Sequence, residues 1–147
     1  MLTRQAGFGA ILAIAISTAA CASHNEVRRV TSPDGKVEAI LFEDNCGPIC
    51  SYWYDVRLKG KGSWFDSDVA LLESATRNDQ AWGVDLRWSD SHNLTVEYFR
   101  ADNAHLKRKT LEIAGDKINV SLHNGVIDSQ APAGSMMYNL QGRPNDK

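Results

Sequence analysis

The chain has 147 residues, 43% of them hydrophobic and 23% charged, with a formal net charge of −2. That length suits one domain of ordinary size, and the near-average composition excludes a wholly disordered or collagen-like chain. Nothing in the charge balance calls for nucleic acid, and three cysteines leave one over from any pairing.

Met1 to Ala20 form the first unit. Arg4 is its only charged side chain, and Phe8-Gly9-Ala10-Ile11-Leu12-Ala13-Ile14-Ala15-Ile16 is its apolar run. A charged start and a short apolar run make an export signal peptide. The run falls short of the roughly 20 apolar residues of a membrane-spanning helix. Small residues, Ser17-Thr18-Ala19-Ala20, then lead into Cys21.

Thr18-Ala19-Ala20-Cys21 resembles the lipobox that ends the signal peptides of bacterial membrane lipoproteins, with Thr18 where leucine is usual. The resemblance implies cleavage before Cys21, a thioether diacylglycerol on its sulfur and a palmitate-type acyl chain on its new amino group. Membrane contact would then run through that lipid, and each buried CH2 contributes about 0.8 kcal/mol to anchoring. The family's sorting convention, with Ala22 and not aspartate next, implies the periplasmic face of the outer membrane. An ordinary signal peptide cut after Ala20 or Ala22 is the plainer alternative. Without the signal the chain keeps 127 residues and a net charge of −3, since Arg4 is lost. We expect residues 21–25 to be anchor and linker, 26–127 an all-β domain, and 128–147 a loose tail.

Within the domain the hydrophobic period is mostly two, the strand signal. Val27 to Val30 and Lys36 to Glu43 flank Ser32-Pro33-Asp34-Gly35, a strong turn, and read as a hairpin. Cys46-Gly47-Pro48-Ile49-Cys50 follows. In an oxidising compartment Cys46 and Cys50 are expected to form a disulfide, closed by a tight turn at Gly47-Pro48. The segment is similar to the thioredoxin motif Cys-Gly-Pro-Cys with one residue inserted. That chemistry needs a helix behind the first thiol, yet residues 51–58 read as a strand. Metal binding needs further ligands, and the four histidines are scattered without ligand spacing.

In that strand Tyr52, Tyr54, Val56 and Leu58 face one way, and Ser51, Asp55 and Arg57 the other, with Trp53. Lys59-Gly60-Lys61-Gly62 is a turn. Trp64-Phe65 suggests strand, while residues 66–73 read equally as strand or as a helical turn capped by Asp66. Val84, Leu86 and Trp88, then Leu94, Val96 and Tyr98, form a second hairpin. Residues 105–113 read as one edge strand protected by lysines, and Ile118, Val120 and Leu122 as the last. The regular spacing predicts a small antiparallel sandwich or barrel-like meander with little helix. Beyond Asp128 only Met136-Met137-Tyr138-Asn139-Leu140 has the character of a further strand.

Thr31-Ser32-Pro33-Asp34-Gly35-Lys36 with its apolar strand also resembles a blade fragment of TolB-type β-propellers, and residues 86–98 look like a degraded second copy. The chain is too short for a propeller, which needs at least four blades. Ser32-Pro33-Asp34-Gly35-Lys36, the nearby Asn45-Cys46-Gly47 and the later run from Trp88 through Leu94 and Val96 to Tyr98 together resemble small exported bacterial proteins of unknown function.

No nucleophile elbow, P-loop, zinc-protease or dinucleotide motif is present. No cofactor or metal is implied. Nine of the twelve aromatics fall between Tyr52 and Phe99 and are expected to be mostly core. Trp53, opposite Tyr52 and Tyr54, makes Trp53, Asp55 and Arg57 a candidate binding face, set against a purely structural role. The leading expectation is a lipid-anchored, non-enzymatic binding module for an envelope protein, glycan or wall component. The alternatives are a small periplasmic enzyme or redox protein, or an inhibitor similar to the lipoprotein lysozyme inhibitors.

Overall fold

The computed structural model describes residues 23–45, 51–76, 83–128 and 131. Cys21, Cys46, Cys50, the signal peptide and residues 132–147 lie outside them. Every regular element among the described residues is a strand, nine in all: β1 (Ser23–Thr31), β2 (Val37–Asn45), β3 (Trp53–Gly60), β4 (Ser67–Glu73), β5 (Val84–Asp90), β6 (Asn93–Tyr98), β7 (Asn103–Leu106), β8 (Thr110–Ile113) and β9 (Asp116–His123).

The strands form two sheets, ordered β1-β2-β3-β4-β7 and β5-β6-β9-β8. Val37, Ala39, Leu41, Val56, Leu58 and Leu72 of the first meet Val84, Leu86, Leu94, Val96, Ile118 and Val120 of the second in one buried core. The period-two pattern sets this directly, because alternate side chains share a face. The expected all-β sandwich is what the chain adopts.

Two details differ from the sequence reading, and one that it left open is settled. Ser23–Asn25, expected as linker, are already paired with β2 as part of β1. Residues 66–73 contain strand β4, which pairs antiparallel with β3 on one side and β7 on the other. Residues 105–113 are two strands: β7 closes the first sheet, and β8 edges the second. This switch returns the chain so that β9 pairs parallel to β6 within otherwise antiparallel sheets.

Two turns show how local chemistry fixes register. In the β1–β2 turn, Ser32 O accepts from Gly35 N at 2.8 Å, and the Ser32 hydroxyl donates to Asp34 at 2.6 Å. Gly35 sits at φ +78°, where an L side chain is disfavoured. The β8–β9 turn places Ala114 and Gly115 both at positive φ, the two-residue geometry that matches strand twist.

The β1–β2, β3–β4, β5–β6 and β8–β9 connections gather at one end of the sandwich. Lys61 N donates to Lys36 O at 2.8 Å, Lys36 pairs with Asp116 at 2.7 Å, and Asn119 N donates to His92 O at 2.7 Å. Ser23, Asn45, Trp53 and Glu73 mark the opposite end. The nine residues of β1 separate the ends by about 25 Å at the usual strand rise.

Candidate functional site

The β3–β4 loop carries the feature least explained by folding. Trp64 is 98% exposed and Phe65 87%. The aromatics of this region were expected to be mostly core, and for these two the structure corrects that. They belong to no strand, so neither pleat turns them inward.

The loop is nevertheless fixed by hydrogen bonds. Ser63 N donates to Gly60 O at 2.9 Å, and Gly62 takes φ +79°. The Ser63 hydroxyl accepts from Phe65 N and lies against Phe65 O, each at 3.1 Å. These contacts clasp the backbone around Trp64 and turn both rings outward. Burial of either ring would contribute roughly 1.5–3 kcal/mol, which the fold forgoes here. Of the described large hydrophobic residues only Ile127, at 65%, is comparably exposed.

Two grooves flank this loop. One, of about 550 Å³, is lined by Lys59, Ser63, Phe65, Ser67, Glu112 and Ile113 among others. The second, of about 490 Å³, is lined by Arg57, Asp66, Ser67, Asp68, Lys107 and Arg108. Ser67 borders both, so they meet over the start of β4.

The floor of the second groove is a charge network. Arg57 Nε reaches Asp55 at 2.7 Å and Asp68 at 3.2 Å, and its Nη1 lies 3.7 Å from Asp66. Lys107 lies 3.5 Å from Asp55 and 3.7 Å from Asp68. The Asp55 hydrogen bond raises the pKa of the Arg57 guanidinium above its ordinary value. Arg57 also covers the Phe42 ring at 5.0 Å from its centre, and Phe42 stacks on His24 at 4.4 Å. Such a cation over an aromatic face adds a modest attraction.

The structure therefore places the three sequence candidates as follows. Trp53, Asp55 and Arg57 alternate along β3 and share the outer face of the first sheet. Asp55 is only 5% exposed and is held by Arg57 and Lys107. Trp53 is half-buried near the opposite end, where it lines a groove of about 280 Å³ with Ser51, Tyr52, Glu73, Ser74 and Asp102. Arg57 alone touches the grooves beside Trp64 and Phe65. The candidates Cys21, Cys46 and Cys50 lie outside the described residues.

Sequence reading missed Trp64 and Phe65 as surface groups. The available signal was their place directly after Lys59-Gly60-Lys61-Gly62-Ser63, in a stretch where no alternation holds.

A second charged cluster lies at the seam between β1 and β5. Asp85 is 4% exposed, lies 3.1 Å from Arg28 Nε and accepts from Leu86 N at 2.7 Å. Burial pushes its pKa above the ordinary aspartate value. Among the described residues no three His, Cys, Asp or Glu side chains converge to hold a metal.

Comparison with protein-family models, with curated proteins and with solved structures finds no match. Fold and site together define a small two-sheet β domain with an aromatic loop between polar grooves at one end.

Proposed function

We propose that the chain is a lipid-anchored protein of the bacterial cell envelope, seated on the periplasmic face of the outer membrane, and that it acts as a non-enzymatic binding module through Trp64 and Phe65. The carrying observation is the exposure of both rings on a loop clasped by Ser63. Exposed aromatics on a fixed scaffold lose little freedom on binding and are typical anchors of recognition.

The topology supports the same reading. Cys21 precedes Ser23 by two residues, so at most about 7 Å of chain separates the proposed lipid from β1. Ser23 lies at the end opposite the aromatic loop. An anchored domain would therefore hold Trp64 and Phe65 away from its own membrane.

A fatty-acid label tests the anchor: it should enter the wild type and be lost in Cys21→Ala, and equal labelling of both refutes lipidation. A photo-crosslinking residue at position 64 in intact cells tests the binding end. Capture of a partner there, and not from position 127, is expected; equal or no capture at both positions removes the reading. Cys46 and Cys50 are proposed to form a local disulfide, and two free thiols in the denatured exported protein would exclude it.

A further inference from the structure

We infer that the ligand of the aromatic end is a pyranose glycan of the cell wall, lying across Phe65 and Ser67 from one groove to the other. This rests on the binding reading above and names its substrate class.

Four observations favour that occupant. The first is size. Grooves of about 550 and 490 Å³ fall in the range of sites for small ligands, roughly 300–1,000 Å³. They share Ser67 at the start of β4, which is where a linear ligand would cross from one to the other.

The second is the limited apolar area. Among the described residues, Trp64 and Phe65 are the only large exposed hydrophobics at this end. Two rings offer at most about 250 Å² each. A stable protein interface covers about 800 Å² per partner, with its anchors set in an apolar core. Beside these rings the groove linings add Ile113, Ala114 and Leu58 as small apolar contributions, and otherwise include Lys59, Lys61, Ser63, Asp66, Asp68 and Arg108.

The third is the balance of charge. Lys36 is paired with Asp116 at 2.7 Å and Lys59 with Glu38 at 3.6 Å, while Arg57 and Lys107 are tied to Asp55 and Asp68. With Lys61 and Arg108 set against the acids Asp66 and Glu112, the described residues present no single-sign field of the kind that draws a protein to an anionic bilayer or a polyanion. They do leave closely spaced donors and acceptors. A sugar hydroxyl is both, and its ring presents a flat C–H face that stacks on an aromatic.

The fourth is direction. The rings stand about 25 Å from the end where β1 begins, the side of the proposed lipid. In the periplasm the wall lies on the far side of a protein anchored in this way.

The test uses the full-length exported protein, lipid included, in mild detergent. It is mixed with protein-stripped cell-wall sacculi and sedimented, and titrated separately with a soluble β-linked N-acetylglucosamine oligomer. Wild type should sediment. The Trp64→Ala/Phe65→Ala variant should lose about tenfold or more in affinity, as truncation of anchor aromatics does elsewhere. Phe65, the ring that lines a groove, decides the stacking: Phe65→Tyr should retain most binding, and Phe65→Leu should lose most of it, because leucine is apolar without a flat face. Equal binding by the Leu and Tyr variants overturns ring stacking, and failure of the wild type to bind either probe overturns the glycan. In that last case the crosslinker at position 64 separates the two levels. A captured protein leaves the binding end standing with a different occupant, and no capture ends both.

Discussion

Gly83 is the position at which a single methyl group should cost the most. It is buried at φ +100°, and an added Cβ would lie 2.4 Å from the Tyr54 hydroxyl oxygen and 3.1 Å from Cζ. Tyr54 has no exposed surface and packs edge-on against Tyr52, with ring centres 6.3 Å apart, so its ring has little room to retreat. Two costs therefore add in Gly83→Ala: about 1–2 kcal/mol for an L residue at positive φ, and about 1–3 kcal/mol for overpacking. The sum, about 2–5 kcal/mol, corresponds to a fall in Tm of roughly 6–20 °C for a domain of this size. Equilibrium unfolding in urea measures it. Repeating the substitution in Tyr54→Phe separates the two costs, since that background lacks the nearest atom. There the penalty should shrink by about 1–2 kcal/mol and leave the backbone cost. A penalty below about 0.5 kcal/mol, or the same penalty in both backgrounds, would refute the proposed clash.

Other perturbations test the polar parts of the fold. Arg57→Ala uncovers Asp55, which is 5% exposed; with Arg57 itself 28% exposed, the loss should be about 1–3 kcal/mol, short of a fully buried pair. Arg87→Ala removes a bond to Glu97 from a side chain 62% exposed and should cost less than about 1 kcal/mol. Equal losses in the two would contradict the role given to burial. Asp85 has its folded pKa raised above the ordinary value of 3.8, chiefly by burial, so the folded chain holds that proton more tightly than the unfolded one. Its contribution is therefore fully present below pH 3.8 and declines as the pH rises from there through the raised folded value. Asp85→Asn should gain on the wild type as pH increases across that window in thermal unfolding, and a gain that shrinks would invert the assignment. Trp64→Ala and Phe65→Ala should leave stability within about 0.5 kcal/mol of wild type, since neither ring is packed; a larger loss by calorimetry would show that the rings serve the fold.

The strands were legible because alternation is a local property. Val84, Leu86, Leu94 and Val96 announce their inward face in the sequence, and all four are buried. The Ser32-Pro33-Asp34-Gly35 turn was legible for the same reason, as its hydrogen bonds close within six residues. Sheet membership was not legible. Residues 105–113 carry one polar-then-apolar pattern, yet Leu106 pairs with Ala70 in one sheet and Leu111 with Ile118 in the other. The choice between those partners depends on where the core lies once both sheets exist. The same holds for β4, whose apolar run fits a helical turn until β3 and β7 stand on either side of it.

The candidate site shows how little alternation alone says about which outward groups are free. Trp53, Asp55 and Arg57 do share an outward face, as a period of two requires. An outward face is still not a free one. Asp55, Arg57, Asp68 and Lys107 neutralise one another there, and Arg57 lies over Phe42. Charges already paired within the chain offer a ligand only their remaining hydrogen-bonding positions, so they can orient it without anchoring it. Trp64 and Phe65 have no such internal partners, and the Ser63 hydroxyl holds their backbone while leaving the rings in water. Periodicity identifies what a strand buries; what a loop leaves exposed depends on hydrogen bonds that fix its backbone. The sequence stretch after Gly62, where alternation stops and aromatics continue, is therefore where the proposed recognition should be tested, with the two grooves bordered by Ser67 beside it.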